Sequence, residues 1–259
     1  MDEREYAQRF CVEHAHYTED LDFWRGAARR QGSPVLDLGS ATGRVARALA
    51  HDGVEVWALD GSGAMLDQLA RRMESEPAEV RARVRPVCAD FRDFTLDRRF
   101  PLIVMAMNTL QVLTDPDDRL ACLRAARRHL APGGELVFDV DLPDHAEIIG
   151  AMGVVCDSGH HRDEASGVTL LHTGWYEAFD PATGTLDYTM RIEDRHDDGA
   201  RSVRFRHHSV HVFPPAELHL LLGHAGLRSV QAMGDFDGSP LVPHSERQIH
   251  RCIAAGAAP

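Results

Sequence analysis

The 259-residue sequence contains no lysine, so all 28 of its long-chain cations are arginine. Chemistry that needs an amine nucleophile is thereby excluded, which removes pyridoxal-phosphate Schiff bases and lysine-dependent aldolases. A phosphate-binding P-loop would also lack its lysine. The uniform use of arginine reads as genomic base composition rather than as function. Long apolar runs are absent as well, and none approaches the length that crosses a bilayer. The opening Met1-Asp2-Glu3-Arg4-Glu5 is charged where a signal peptide would be apolar. Cys11, Cys88, Cys122, Cys156 and Cys252 are odd in number and include no CxxC pair. They suit a reducing compartment better than a disulfide framework, and the expected setting is the cytoplasm. Excess positive charge is lacking too. A formal charge of −12 argues against a nucleic-acid partner, whose phosphates need a cationic surface. The doublets Arg29-Arg30, Arg71-Arg72, Arg98-Arg99 and Arg127-Arg128 have acids close by and read as solvated surface.

What is present begins with Val35-Leu36-Asp37-Leu38-Gly39-Ser40-Ala41-Thr42-Gly43-Arg44. An apolar run ends in an acid, a small-residue loop follows, and Val45, Ala46, Ala48 and Leu49 open an amphipathic segment. This predicts a strand entering a helix through a turn that brings backbone close to a ligand, as glycine permits. Such a turn in an α/β sheet suits a nucleotide-type cofactor. Strands are expected over 35–38, 54–59, 84–88, 102–107 and 135–140, and helices over 44–51, 62–74 and 116–130. Ala131-Pro132-Gly133-Gly134 reads as the turn that stops the last helix. This alternation implies a parallel sheet with helices on both faces. Residues 1–31 read as helical and amphipathic. Beyond residue 150 the rhythm becomes β-like near 154–162, 168–179, 185–195 and 201–213, with turn chemistry at 180–184 and 197–199. A helix from Pro214 to about Ala225 and strands near 227–233 and 247–254 close the chain. The division expected is 1–32 as an N-terminal helical lid segment, 33–150 as the cofactor-binding core, 151–213 as inserted antiparallel strands over the substrate, and 214–259 completing the sheet.

Asp60 ends the second strand, followed by Gly61, where an acid can accept both ribose hydroxyls of an adenosine. Asp90-Phe91 end the third, where an adenine amino group and ring face would lie, and Asn108 follows the fourth. Each acid taken alone is more often a helix cap. In series at successive strand ends they point to a cofactor. Gly39 and Gly43 are separated by three residues, which does not fit the dinucleotide GxGxxG fingerprint and makes NAD the weaker choice.

With these residues in place the sequence resembles class I S-adenosylmethionine-dependent methyltransferases over nearly its whole length. Asp37 to Gly43 looks like their first motif, Asp60 like their ribose-binding acid, Asp90-Phe91 like their adenine-contacting pair. Arg127 to Gly134 resembles the turn before their fifth strand. Asn108-Thr109-Leu110-Gln111-Val112-Leu113 is similar to a segment of glycine/sarcosine and amino-sugar N-methyltransferases, where it passes under the donor methyl. Gly234 to Pro240 resembles a loop that recurs near the substrate side of that subfamily. The resemblance implies a Rossmann-like, doubly wound, seven-stranded, mostly parallel sheet with an inserted antiparallel β lid. It also implies S-adenosyl-L-methionine as cofactor, with S-adenosyl-L-homocysteine as product. The cofactor-facing set is then Asp37, Gly39, Ser40, Ala41, Gly43, Asp60, Gly61, Met65, Asp90, Phe91 and Asn108. Ala41 departs from the family, which usually has a second glycine there, and a positive φ at that position would strain a β-carbon.

Methyl transfer from a sulfonium needs chiefly alignment, and a base only where the acceptor must lose a proton. No single side chain is therefore fixed as catalytic. Candidates for shaping the acceptor site are Tyr17, Asn108, Asp141, His172, Trp175, Tyr176 and Arg191. Tyr17 could equally pack an amphipathic helix, Asp141 could cap the following turn, and the strand residues could serve the sheet. His160-His161 and His207, His208 and His211 lack the further ligands a zinc site needs, and no metal is expected. The reading is a methyltransferase acting on a small-molecule acceptor, with amine nitrogen preferred over oxygen or carboxylate and a homodimer as the assembly. The alternatives are a non-catalytic S-adenosylmethionine-binding protein and, less favoured, a nucleotide-cofactor oxidoreductase.

Overall fold

The N-terminal stretch is helical as expected, in two segments, α1 (Glu3–His14) and α2 (Leu21–Gln31). Asp20 stands at the start of α2. It spends its carboxylate on Trp24 Nε1 at 2.7 Å and on the Arg44 guanidinium instead of capping α2. Tyr17 therefore sits on a loop and not on a helical face. The computed structural model describes residues 2–163 and 167–256.

The core then alternates as the periodicity requires: β1 (Val35–Leu38), α3 (Arg44–His51), β2 (Val56–Asp60), α4 (Gly63–Glu74), a short α5 (Ala78–Arg81), β3 (Val84–Cys88), β4 (Phe100–Met105), a 3-10 turn (Thr109–Val112), α6 (Pro116–His129) and β5 (Leu130–Asp141). Ser62 caps α4 through the Met65 N–H, and Asp115 caps α6 ahead of Pro116. Ala131 to Gly134 is not a free turn but the irregular start of β5, whose pairing with β4 shifts register between Phe100 and Leu102. β4 ends at Met105, two residues earlier than the apolar run suggests, because Met107 and Asn108 turn left-handed.

After α7 (His145–Gly150), a turn without periodic signal, β6 (Cys156–Asp163), β7 (Val168–Asp180), β8 (Thr185–His196) and β9 (Arg201–His211) form a separate four-stranded antiparallel sheet. The chain returns through α8 (Pro215–His224), β10 (Leu227–Met233) and β11 (Arg247–Ala254). The main sheet has the order β10-β11-β5-β4-β1-β2-β3, parallel except at β11, which runs antiparallel to both β5 and β10. One face buries Phe100, Leu123, Phe138, Leu218 and Leu222 beneath α6 and α8. The other buries Trp24, Leu49, Leu69 and Val104 beneath α2, α3 and α4. Strand order reverses between β1 and β4, and ligands of open α/β sheets bind at the carboxyl ends of strands beside such a reversal.

Helix α1 is tied to the second sheet by guanidinium–carboxylate forks. Glu13, 4% exposed, accepts from Arg206 Nη1 at 2.6 Å and Arg204 Nη2 at 3.0 Å. Asp194, 2% exposed, accepts from Arg9 Nη1 at 2.5 Å and Arg204 Nη1 at 2.6 Å. No helix among the described residues is long and apolar enough to cross a membrane.

Candidate cofactor and acceptor site

A cavity of about 1960 Å³ opens at the carboxyl ends of β1, β2, β4 and β5 and is roofed by α1, the Tyr17 loop and the second sheet. Its floor begins with the loop after β1. Gly39 has φ +72°, and a β-carbon there would lie 2.5 Å from Thr109 Cγ2, so only glycine lets the loop rest on the 3-10 turn. Ala41 has φ +45°, the strained conformation its sequence position predicts. Its N–H donates to Asp60 Oδ2 at 2.8 Å, while Asp60 Oδ1 accepts from Ser62 N at 2.8 Å. A charge-assisted bond contributes about 1.5–3 kcal/mol, enough to offset the roughly 1–2 kcal/mol of a left-handed alanine. Asp60 thus clamps the loop as well as facing the cavity. Beneath the loop Asp37 is 2% exposed, and its Oδ2, like Ser40 Oγ, is buried without a hydrogen-bond partner. Burial pushes the Asp37 carboxyl up to about 7, against the pull of Arg44.

The opposite wall comes from the ends of β4 and β5. Asp139 accepts from Met107 N at 2.9 Å and Asn108 N at 3.3 Å. Burial, reinforced by Asp141, pushes Asp139 up to about 7. Asn108 Nδ2 donates to Asp141 Oδ2 at 2.7 Å. Buried Gln111 holds the Asp141 backbone from both sides, its Oε1 accepting Asp141 N at 2.8 Å and its Nε2 donating to Asp141 O at 3.3 Å. The same Nε2 donates to His211 O at 2.9 Å, linking the end of β5 to the end of β9. Burial raises the Asp141 carboxyl above the usual range although Arg247 and Asn108 oppose it.

The roof is aromatic. Tyr176, Tyr188 and His208 are direct cross-strand neighbours on β7, β8 and β9, with the Tyr188 and His208 rings stacked at 4.8 Å. Burial pushes the Tyr188 hydroxyl up to about 12 and lowers His172 and His208, which keeps all three neutral near pH 7. His172 Nε2 is buried without a partner. Arg44, at the start of α3, lies 4.8 Å over the Tyr17 ring and donates to Tyr17 O at 3.2 Å, fixing that loop above the cofactor turn.

Of the residues singled out from sequence, Asp37, Gly39, Ser40, Ala41, Asp60, Phe91, Asn108, Tyr17, Asp141, His172, Trp175 and Tyr176 line this cavity. Others stand elsewhere. Asp90 is drawn to Arg92 (Nη2 to Oδ2, 2.6 Å), which also reaches Asp118, so its carboxylate belongs to a surface network. Gly43 starts α3 at φ +77°, packed against Leu69. Gly61 is exposed beside Ala89, and Met65 lies in the core face of α4. Arg191 alternates with the cavity-lining Tyr188 and Met190, so it points to the other face of β8 and pairs with Glu193 at 2.7 Å. Phe236 packs on Phe23 and Trp24 of α2, with Arg247 over its ring at 4.8 Å. His211 Nε2 bonds Glu217 at 2.7 Å, and His207 Nδ1 lies 2.6 Å from Thr189 Oγ1. Sequence reasoning missed Asp139, Gln111, Arg44 and Tyr188. Asp139 had a signal, since it shares a strand face with Asp141 two residues on.

Residues 35–134 match the model of a methyltransferase domain. A cypemycin N-terminal methyltransferase from a Streptomyces species is 30% identical over 220 residues, spanning 84% of this chain and 82% of that protein. The chain belongs to the methyltransferases. Among solved structures, the CcbJ methyltransferase from Streptomyces caelestis is 28% identical and superposes with a TM-score of 0.73 over 93% of this chain and 98% of its own. An amino pentose methyltransferase from Micromonospora echinaspora, solved with S-adenosylmethionine bound, shares the fold at 20% identity, with a TM-score of 0.68 over 97% of this chain and 92% of its own.

S-adenosylmethionine is the cofactor of this methyltransferase, and the site suits it. Asp37 with its unpartnered oxygen, Ser40 with its free hydroxyl and Asp60 with its carboxylate all line the cavity. A cationic cofactor in this cavity favours ionised Asp37 and Asp139, both raised to about 7, so binding below that pH is expected to release protons. Affinity should therefore rise with pH from 5.5 to 8, by up to tenfold per unit for each proton released. For the free protein the sign is opposite. Acids raised on folding contribute full stability below their unfolded values near 4, and that contribution is lost as pH rises through about 7. Calorimetry in buffers of different ionisation enthalpy counts the protons, and an affinity flat over this range refutes the assignment.

Proposed function

We propose that this methyltransferase transfers its methyl group to an amine nitrogen on a mid-sized acceptor. The observation that carries the reading is the concentration of carboxyl groups at the cavity floor: Asp37, Asp60, Asp139 and Asp141. An ammonium group is drawn to such a floor, a hydroxyl gains little from it, and a carboxylate is repelled. The names of the relatives support the same choice, one acting at an N-terminus and one on an amino pentose.

Bound S-adenosylmethionine supplies an already activated methyl group, leaving the protein to position the acceptor and manage one proton. Asp139 and Asp141 attract the protonated amine. Asp141, braced by Asn108 and by Gln111, takes the proton that the nitrogen must lose. Tyr17, Tyr176, Tyr188 and His208 close the roof and exclude water. A cavity of about 1960 Å³ exceeds the roughly 300–1,000 Å³ of common small-ligand sites. Partly exposed Val112, Val154 and Val242 line it. Both features support an acceptor larger than a free amino acid, with an apolar flank. The five cysteines are free thiols, which supports a cytoplasmic setting.

The test is a set of matched acceptors differing only in an amine, a hydroxyl or a carboxylate, each offered with methyl-labelled cofactor. Label should enter only the amines, and entry into an alcohol or acid without entry into its amine partner refutes the proposal.

A further inference from the structure

Among the described residues three non-glycine positions have positive φ: Ala41 at 45°, Met107 at 57° and Asn108 at 60°. All three line the cavity, and each donates its backbone N–H to an aspartate that lines it too. Ala41 donates to Asp60 at 2.8 Å, Met107 to Asp139 at 2.9 Å and Asn108 to Asp139 at 3.3 Å. A residue with a β-carbon stays left-handed only where its surroundings over-determine it. Asparagine takes this conformation at little cost, so the strain falls on Met107, and a single carboxylate holds both amides.

We infer that Asp139 is a positioning residue, whose carboxylate locks the Met107–Asn108 turn and thereby sets both sides of the cavity. On the acceptor side the turn aims Asn108 Nδ2 at Asp141 and leaves Asn108 Oδ1 buried without a partner. On the cofactor side the next residue is Thr109, whose hydroxyl donates to Ala106 O at 2.8 Å and whose methyl supports the loop at Gly39. Relaxing φ at residue 107 would swing Asn108 away from Asp141 and shift Thr109 from beneath the glycine loop. Gln111 N donates to Asn108 O at 2.9 Å, so the following 3-10 turn would move with it. A merely adjacent carboxylate would have no reason to accept two consecutive amides, and the parallel use of Asp60 at Ala41 shows the device twice in one site. The inference rests on the cofactor half of the site and does not depend on the acceptor's being an amine.

The experiment measures S-adenosylmethionine affinity by titration calorimetry. Asp139→Asn offers one acceptor and sets an N–H₂ against the second amide, and the dissociation constant should rise about tenfold. Adding Met107→Gly restores no carboxylate but removes the β-carbon that makes φ +57° costly. The double variant should return to within about threefold of the native value. Asp139→Asn with Met107→Ala deletes the same side chain beyond Cβ and should recover nothing. Equal recovery by alanine and glycine, no recovery by glycine, or an Asp139→Asn variant of native affinity would each overturn the assignment. Where Asp139→Asn alone does not fold, the Met107→Gly double variant should, and its failure to fold also overturns it.

Discussion

Asp141→Asn should lower kcat by about 10²–10⁴-fold, the range a positioned general base contributes, while leaving cofactor affinity within about threefold. The substitution is nearly isosteric, and an asparagine oxygen can still accept from Asn108 Nδ2, which in the native protein lies 2.7 Å from Asp141 Oδ2. What disappears is the carboxylate proposed to take the acceptor's proton. Burial raises the Asp141 carboxyl above the ordinary carboxylate range, bringing its basicity closer to working pH. Since a base works only when ionised, native kcat/KM for the acceptor at saturating cofactor should fall on the acid side, and the Asn variant should lose that limb. A rise in acceptor KM of severalfold is expected from the lost charge. Steady-state kinetics of the two proteins across pH 5 to 8 decide the matter, and a native kcat in the variant removes Asp141 from the proton path.

Gly39→Ala should cost about 2–5 kcal/mol, combining about 1–2 kcal/mol for a left-handed β-carbon with about 1–3 kcal/mol for overpacking. The new methyl would sit 2.5 Å from Thr109 Cγ2 and 2.9 Å from its Oγ1. Thr109 cannot simply turn aside, because its hydroxyl is bonded to Ala106 O and its β-branched side chain has few alternatives. The loop must either move, which weakens cofactor binding by at least about 30-fold, or stay, which lowers the stability of the free protein. Calorimetric titration together with thermal unfolding captures both outcomes. Adding Thr109→Ala should recover part of the loss, since the nearest remaining Thr109 atom would be Cβ at 3.3 Å. A Gly39→Ala protein native in both affinity and stability contradicts this account of the loop.

Much of the architecture was legible because apolar runs and capping residues agree locally. Val35–Leu38, Arg44–His51 and Val84–Cys88 appear with the boundaries their patterns predict. The inserted sheet was announced by turn residues at Asp180 and Asp197. Discrepancies arise where a distant partner overrides a local signal. Asp20 turns its carboxylate to Arg44 instead of capping α2, and β4 draws Leu130 into β5 ahead of the expected turn. The site divides in the same way. Asp60 and Asn108 follow from strand ends, whereas Asp90 is diverted by a neighbour two residues away, and alternation along β8 turns Arg191 outward. Asp139 shares a strand face with Asp141, but what it does depends on the left-handed residues that follow the neighbouring β4, which no local pattern encodes.

The forks that fasten α1 to the second sheet pair carboxylates with arginine, and against the cost of burial the Arg204 and Arg9 guanidiniums hold the Asp194 carboxyl below the usual carboxylate range. Acidification therefore acts unequally on the two halves of the chamber. Its ceiling stays bolted through Asp194, while Asp37 and Asp139 below, both raised to about 7, take up protons near neutrality. Lowering the pH should quench the pull on cationic ligands without unlatching the vault that encloses them.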